Sequence, residues 1–420
     1  MMSEPAHLRR PRATRDWFIG TELGGIEDVY VQHLRKHGYT SATTIEYVEC
    51  VAHFAHWTRR RFCLSDMNEV LIGLFLNRHL PKCRCAPRCQ RARNMVHAAL
   101  VQLLAVLRGN GIVAAAVSTD PPSIAAELRE YEHYLDEVRG LGATTRAGRL
   151  RHIRRFLLDE FGDNSVSVSS LRPRDIARFI TSYTEGWAPA SRQTVCNSLR
   201  SYFRFKALKG EQTTSLTAAV PAIASWRLAG LPKALAADEL KHFLSAFDRG
   251  SVVGRRDYAI SRCLVDLGLR TAEVSRITLD DIDWHAGTLK IHGKDIRTDL
   301  LPLPKTTGAA IAAYLRHGRP TLQSRALFAR HRAPLDAPVT AGIVRGVVRR
   351  TATRCGINAL THGPHVLRHV AVQRLIQRGA TLKDIADFLR HRCLDTAAIY
   401  TKVDLPSLSK VAMPWPGSRP

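Results

Sequence analysis

Two stretches of this chain place large apolar residues three and four positions apart in the same order, and that spacing restricts both to helices packed face to face. Each stretch opens with a helix carrying Tyr30 and Leu34 in one copy, Tyr131 and Leu135 in the other. A Gly-containing turn and a threonine pair follow, Thr43-Thr44 and Thr144-Thr145, and the next helix carries Phe54 or Phe156. A short segment then begins at Leu64 or Leu171 and leads to Phe75-Leu76 or Phe179-Ile180. The last helix presents Leu100, Leu103, Leu104 and Leu107, or Leu199, Tyr202 and Phe203. The spacing predicts two small bundles of about four helices each, two versions of one unit.

These bundles set the boundaries. Residues 1–20 read as a flexible N-terminus, 21–113 as the first bundle, 122–210 as the second, and 211–232, rich in Thr, Ala and Pro, as a linker. A third block follows over 233–411, then a tail over 412–420. In the third block helices are predicted over Asp238 to Phe247, Arg256 to Leu267, Thr307 to Arg316, Ala341 to Arg354, His365 to Arg378 and Thr381 to Leu389. Gly287 to Ile291 and Thr298 to Leu303, joined by a turn near Lys294, predict a β-hairpin. The expected fold is mainly α, multi-domain, with one small antiparallel sheet in the third block.

Charge narrows the function. Sixty-two Lys and Arg against 37 Asp and Glu leave the 420 residues at +25. Such a field attracts polyanions, and counterion release makes nucleic acid the partner it fits best. Neither a long apolar run nor a basic amphipathic helix supports a membrane partner. Met1 to Arg15 lacks the apolar core of a secretory signal, and nine cysteines without one read as reduced thiols, so a cytoplasmic, nucleoid-associated protein is expected. Arginine is densest around Arg146 to Leu157, where Leu150, Ile153 and Leu157 form the inward stripe. Arg146, Arg149, Arg151, Arg154 and Arg155 crowd the rest of that surface without matching acids in the helix, and Arg174 follows nearby. A solvated face accounts for any one of them; their density favours phosphate contacts.

Five short stretches of the third block carry the chemistry: Leu267-Gly-Leu-Arg270-Thr-Ala-Glu273, Gly293-Lys294, His365-Val-Leu-Arg368-His369, Leu389-Arg-His391 and Ile399-Tyr400. Their order and the spacing from His391 to Tyr400 resemble the tyrosine recombinase (phage integrase) family. The resemblance covers about Leu231 to Val411, and extends to the second bundle as the family's core-binding domain. One residue departs from the pattern: Arg390 stands where the family usually has Gly before the last histidine.

The resemblance implies DNA cleavage by Tyr400, giving a 3′-phosphotyrosine and a free 5′-hydroxyl. Arg270 and Arg368 would offset the charge that builds on the non-bridging oxygens, since guanidinium is always charged and bonds phosphate bidentately. His365 would take or orient the phenol proton, His391 would donate to the phosphate, and Lys294 would protonate the leaving 5′-oxygen. Glu273 would orient these side chains from behind. No cofactor is required for such catalysis, because the phosphotyrosyl bond conserves the energy of the broken link. The implied partners are double-stranded DNA and three further recombinase subunits, identical or different, on synapsed duplexes. A helix at Leu405, Leu408 and Val411 would dock on a neighbouring subunit or on its own domain. Such tails resemble recombinases carried by transposons and insertion elements. Two other readings stay open: a type IB topoisomerase or telomere resolvase, and a catalytically silent DNA-binding partner.

One cluster lies apart from this chemistry. His79, Cys83, Cys85 and Cys89 fall on a Pro-containing loop of the first bundle, close enough to clamp one structural zinc ion. Free cysteines in a reducing compartment are the alternative.

Overall fold

The computed structural model describes residues 17–59, 61–85, 92–114, 120–224, 235–293, 298–335 and 337–390. The chain divides into two compact units, one formed by Met1–Ala114 with Gly230–Pro420, the other by Ala115–Ala229. The first unit holds two large hydrophobic cores, that of the first bundle and that of the third block.

The first bundle consists of α1 (Glu27–Lys36), α2 (Ser41–Thr58), α3 (Glu69–Leu74) and α4 (Arg93–Gly109). Thr40 caps α2 and Asn68 caps α3, each accepting a backbone N–H three residues on, which satisfies a donor the helix cannot. Helix α3 runs on as a π-turn over Phe75–His79. The second bundle consists of α5 (Pro122–His133, extended by a π-turn over Tyr134–Val138), α6 (Ala143–Phe161), α7 (Pro173–Tyr183) and α8 (Pro189–Leu208). The two interiors share a contact. Phe54 and Phe75 meet edge to face at 5.1 Å, and their counterparts Phe156 and Phe179 do so at the same 5.1 Å. All four rings are essentially buried, each stabilising its bundle by about 1.5–3 kcal/mol.

Two boundaries differ from the sequence reading. The first part of the segment 211–232 is packed rather than free. Thr213 donates its hydroxyl to the Phe203 carbonyl, a short helix α9 (Thr214–Ala218) follows, and Leu216 and Val220 enter the core of the second bundle. Thr and Ala content suggested a linker, but two well-spaced apolar side chains suffice to dock the segment. Likewise the flexible stretch 1–20 is too long: Phe18 is buried and Trp17 packs on the first bundle's core.

The third block contains α10 (Ala237–Ser245), α11 (Val252–Asp266), α12 (Thr271–Arg276), α13 (Lys305–His317), α14 (Ala341–Arg354), α15 (His365–Ile376) and α16 (Leu382–Phe388). Strands β2 (Thr288–His292) and β3 (Thr298–Pro302) form the expected antiparallel hairpin, with Leu289 opposite Leu301. A two-residue strand β1 (Ile282–Asp283) adds to β2, making a sheet of order β1-β2-β3. The sequence did not signal β1, since two residues carry no readable alternation. Among the described residues no helix is long and apolar enough to cross a membrane.

Candidate functional site

The geometry of the third block's polar cluster starts from the turn at Gly268. Its φ of +56° lies in the left-handed region, and a Cβ there would sit 3.1 Å from the Phe388 ring, so glycine serves both the turn and the close approach of α16. Three residues on, the chain enters α12. Glu273 is the third residue of that helix, and its carboxylate accepts the Arg270 backbone N–H at 2.8 Å and the Arg270 guanidinium at 2.7 Å. An acid in the first helical turn is favourable in itself, and here it also fixes the arginine side chain. The Arg270 side chain stays 42% exposed while Glu273 is 5% exposed, so the carboxylate is the buried anchor and the guanidinium faces outward.

Helix α15 contributes His365, Arg368 and His369, which its pitch sets on neighbouring positions of one side. Arg368 is buried and donates to two backbone carbonyls, Gly268 and Leu389. It thereby ties the Gly268 turn to the end of α16. Loss of hydration, with the positive charges of Arg368 and Arg270, holds the His365 imidazole below its ordinary value. Burial, His365 and Arg368 do the same for His369. Both rings are therefore neutral at physiological pH, and both feel the guanidinium charge around them.

Arg390 ends the cluster. It adopts a φ of 54°, alone among described non-glycine residues in being positive. The left-handed turn that glycine serves elsewhere is thus kept, at a cost of about 1 kcal/mol. Its side chain is buried and donates to Glu273 at 2.8 Å and to the Phe388 carbonyl at 3.1 Å. Burial would raise the Glu273 carboxyl, but the Arg390 guanidinium and the Arg270 N–H and guanidinium outweigh it and hold the group below the ordinary carboxylate value. Asp299 of β3 lies 3.9 Å from Arg390, which brings the β2–β3 hairpin to the same cluster. His292, two residues before Lys294, is pinned to Asp281 at 2.7 Å.

Of the expected site residues, Arg270, Glu273, His365 and Arg368 come together in this way. Lys294, His391 and Tyr400 lie outside the described residues, as do Cys89 and the Leu405–Val411 segment. Arg390 is a partner that the sequence flagged only as a departure. Its role could have been sought in the need for a left-handed residue beside an acidic second layer.

The arginines of the second bundle need a correction. They are not without matching acids. Arg146 pairs with Asp136, Arg154 with Asp120 at 2.5 Å and Arg155 with Asp159 at 3.0 Å. Two of these acids come from other elements, which is why the helix alone did not reveal them. Arg149 turns inward to the Ser201 hydroxyl at 2.7 Å. Arg151 and Arg174 are exposed and form no ion pair with another described residue.

In the first bundle, His79, Cys83 and Cys85 converge, and His53 of α2 joins them. Sequence reading missed His53 because it stands 26 positions before His79, among apolar core residues.

With this geometry in view, the comparisons are specific. The phage integrase family profile matches residues 233–405. The chain is 36% identical to the integrase/recombinase y4rA of Sinorhizobium fredii, over 92% of this chain and 93% of that protein. It is 28% identical to the tyrosine recombinase XerD of Listeria monocytogenes, over 66% of this chain and 93% of that one. Among solved structures, the XerH site-specific recombinase in a post-cleavage complex with palindromic difH substrate shares the fold, with a TM-score of 0.54 at 20% identity over 82% of this chain and 94% of that one. A lambda integrase dimer bound to a COC′ core site gives 0.51 at 19%, over 66% and 94%. A match of that identity spanning nearly the whole of both chains leaves one conclusion: the protein belongs to the tyrosine recombinase (phage integrase) family and is a site-specific recombinase that cleaves and rejoins DNA.

Proposed function

We propose that Tyr400 is the nucleophile and that Arg270 and Arg368 hold the scissile phosphate. The Tyr400 oxygen attacks phosphorus, the bond to the 5′-oxygen breaks, and that oxygen leaves with a proton from Lys294. A 3′-phosphotyrosine and a free 5′-hydroxyl result, and rejoining reverses each step with a second strand's hydroxyl. His365, neutral and flanked by guanidinium charge, receives or orients the phenol proton, and His391 donates to the phosphate. Glu273 holds Arg270 in place. The step draws only on the protein's own cations and bases, so neither metal nor nucleotide enters it.

The observation that carries this reading is the convergence of Arg270, Arg368 and His365 around turns fixed by Gly268 and Leu389. Guanidinium groups held in place before substrate arrives cost no reorganisation when charge develops. A silent DNA-binding partner would have no need of such a cluster. The topoisomerase reading is disfavoured by the two helical bundles ahead of the third block, which suit a protein that grips a recombination site.

Exchange on two duplexes calls for four active sites, so the working form is a tetramer on synapsed DNA, and its cargo is a transposable or integrative element. The test is expression of wild type and Tyr400→Phe in cells carrying the native element, followed by sequencing of DNA covalently attached to protein after denaturation. Adducts at discrete sites with wild type alone are expected. Movement of the element without adducts from either protein would reassign the chain as a binding partner.

A further inference from the structure

We propose that His53, His79, Cys83 and Cys85 bind one structural zinc ion in the first bundle, a site separate from DNA chemistry. The four donor atoms come from three places in the fold: the interior of α2, the end of the π-turn, and the loop after it. All lie within 4.8 Å of one another. His53 Nε2 is 3.2 Å from His79 Nε2 and 3.2 Å from Cys83 Sγ, and Cys85 Sγ is 3.7 Å from His79 Nε2. Tetrahedral zinc bound at its usual nitrogen and sulfur distances sets ligand atoms about 3.3–3.8 Å apart, and these three separations lie at or within about 0.1 Å of that range.

Hydrogen bonding among these groups is a poorer account of the same geometry. A ring nitrogen offers either one proton or one lone pair, yet His53 Nε2 faces two partners at the same short distance. A cation at the centre satisfies all four donors together. The surroundings suit it. The His79 ring stacks on Phe75 at 5.1 Å, and Phe75 also meets the His53 ring edge-on at 5.1 Å, so both imidazoles are held in orientation. The Cys85 backbone N–H donates to Cys83 Sγ at 3.3 Å, the outer support a thiolate ligand calls for. Arg59 and Arg61 line the opening beside His79 and Cys85, offsetting thiolate charge.

The two nitrogens and two sulfurs complete a tetrahedral set among the described residues, so the site is closed and structural without a further donor. The ion joins α2 to the loop between α3 and α4, beside the packing of Phe54 and Trp57 on Phe75.

The test is metal analysis of the full chain purified without chelator from zinc-supplemented cells. About one zinc per chain is expected for wild type and for Cys89→Ser, against less than about a tenth for Cys83→Ser and His53→Ala. Because His53 is fully buried, His53→Cys is made alongside, keeping a donor at that position, and is expected to retain the ion. Co²⁺ added to the chelator-stripped wild type should give the intense visible bands of a tetrahedral thiolate site, and zinc should restore the thermal transition that stripping lowers. Wild type free of metal, or zinc retained by His53→Ala and lost by Cys89→Ser, overturns the assignment. None of these readouts depends on DNA cleavage.

Discussion

Arginine is put to two different uses in this molecule. Around Glu273 the guanidinium groups are tied to the backbone or to a buried carboxylate: Arg368 to two carbonyls, Arg390 to Glu273 and Phe388, Arg270 to Glu273. On α6 and α7, Arg151, Arg154, Arg155, Arg174 and Arg178 are exposed, and where they pair it is through a solvent-facing guanidinium, as Arg155 does with Asp159 and Arg154 with the largely buried Asp120. Position is what the first set supplies. A charge fixed in a partly dry site acts strongly on a developing oxyanion, whereas an exposed charge, screened within about 8–10 Å by salt, acts mainly by adding to the field that attracts the DNA backbone. Removing one from each set should therefore affect different observables.

The largest effect belongs to the fixed set. Arg368→Ala or Arg270→Ala should lower single-turnover cleavage of a suicide substrate by about 10²–10³-fold while changing the Kd for DNA only a few-fold. Parallel losses in cleavage and binding would erase the contrast and return both residues to simple DNA contacts. Arg368 has a second burden, since its bonds to Gly268 and Leu389 join two turns. Thermal unfolding of Arg368→Ala should accordingly show a lower Tm than that of Arg270→Ala.

Next comes Arg390, where strain and pairing can be separated. Arg390→Ala keeps the unfavourable φ and discards the bond to Glu273; Arg390→Gly discards the bond but relieves the backbone. Alanine should cost about 3 kcal/mol in denaturant unfolding and glycine about 1 kcal/mol less than alanine. Equal costs would mean that the turn carries no strain. The pH dependence has a definite sign. Glu273 is held below its ordinary value, so the stability it adds is present above about pH 4.3 and is lost as pH falls through the folded value. Without Arg390, burial is less opposed, the carboxyl moves up, and the acid edge of cleavage should move up with it.

What the sequence revealed of this site follows from the range of the interactions involved. Arg270 and Glu273 were legible because a helix N-terminus is a three-residue affair, and His365 with Arg368 because one turn of α15 sets their spacing. The hairpin was legible from its alternation, although β1 was too short to be. The contact between Arg390 and Glu273 spans 117 positions, and no local rule forecasts it. The same limit hid Asp120 from the arginine face of α6 and His53 from the cysteine loop. Local chemistry names candidate residues, and the packing of distant segments decides which partners they meet.

His365 offers a finer test of the fixed set. Its imidazole is held below the ordinary value by loss of hydration and by Arg368 and Arg270. The neutral form needed to take a proton should persist below about pH 6.5, so cleavage under subsaturating conditions should stay on its plateau there and fall only at lower pH. In Arg270→Ala one of the opposing charges is gone and the acid edge should shift upward. An edge that does not move would detach His365 from the arginine pair.

The smallest effects lie on the exposed set, and there the ion pairs sort the residues. Arg151 and Arg174 have no acid partner among the described residues, so on the proposed DNA-facing role each would bring its whole charge to the backbone. Replacing either by alanine should reduce the slope of log K against log salt by about one unit. Arg155 already shares its charge with Asp159, and Arg154 with Asp120, whose side chain is only 7% exposed. For these two, DNA competes with an existing partner, and the slope should change by clearly less than one unit. Unfolding stability should change by less than about 0.5 kcal/mol at Arg155, as exposed pairs contribute little. If all four substitutions flatten the slope equally, the surface acids do not restrain their arginines and the face acts as a uniform field. If only Arg151 and Arg174 do so, the second bundle has assigned part of its arginine to its own architecture, and phosphate contact falls to the arginines without an acid.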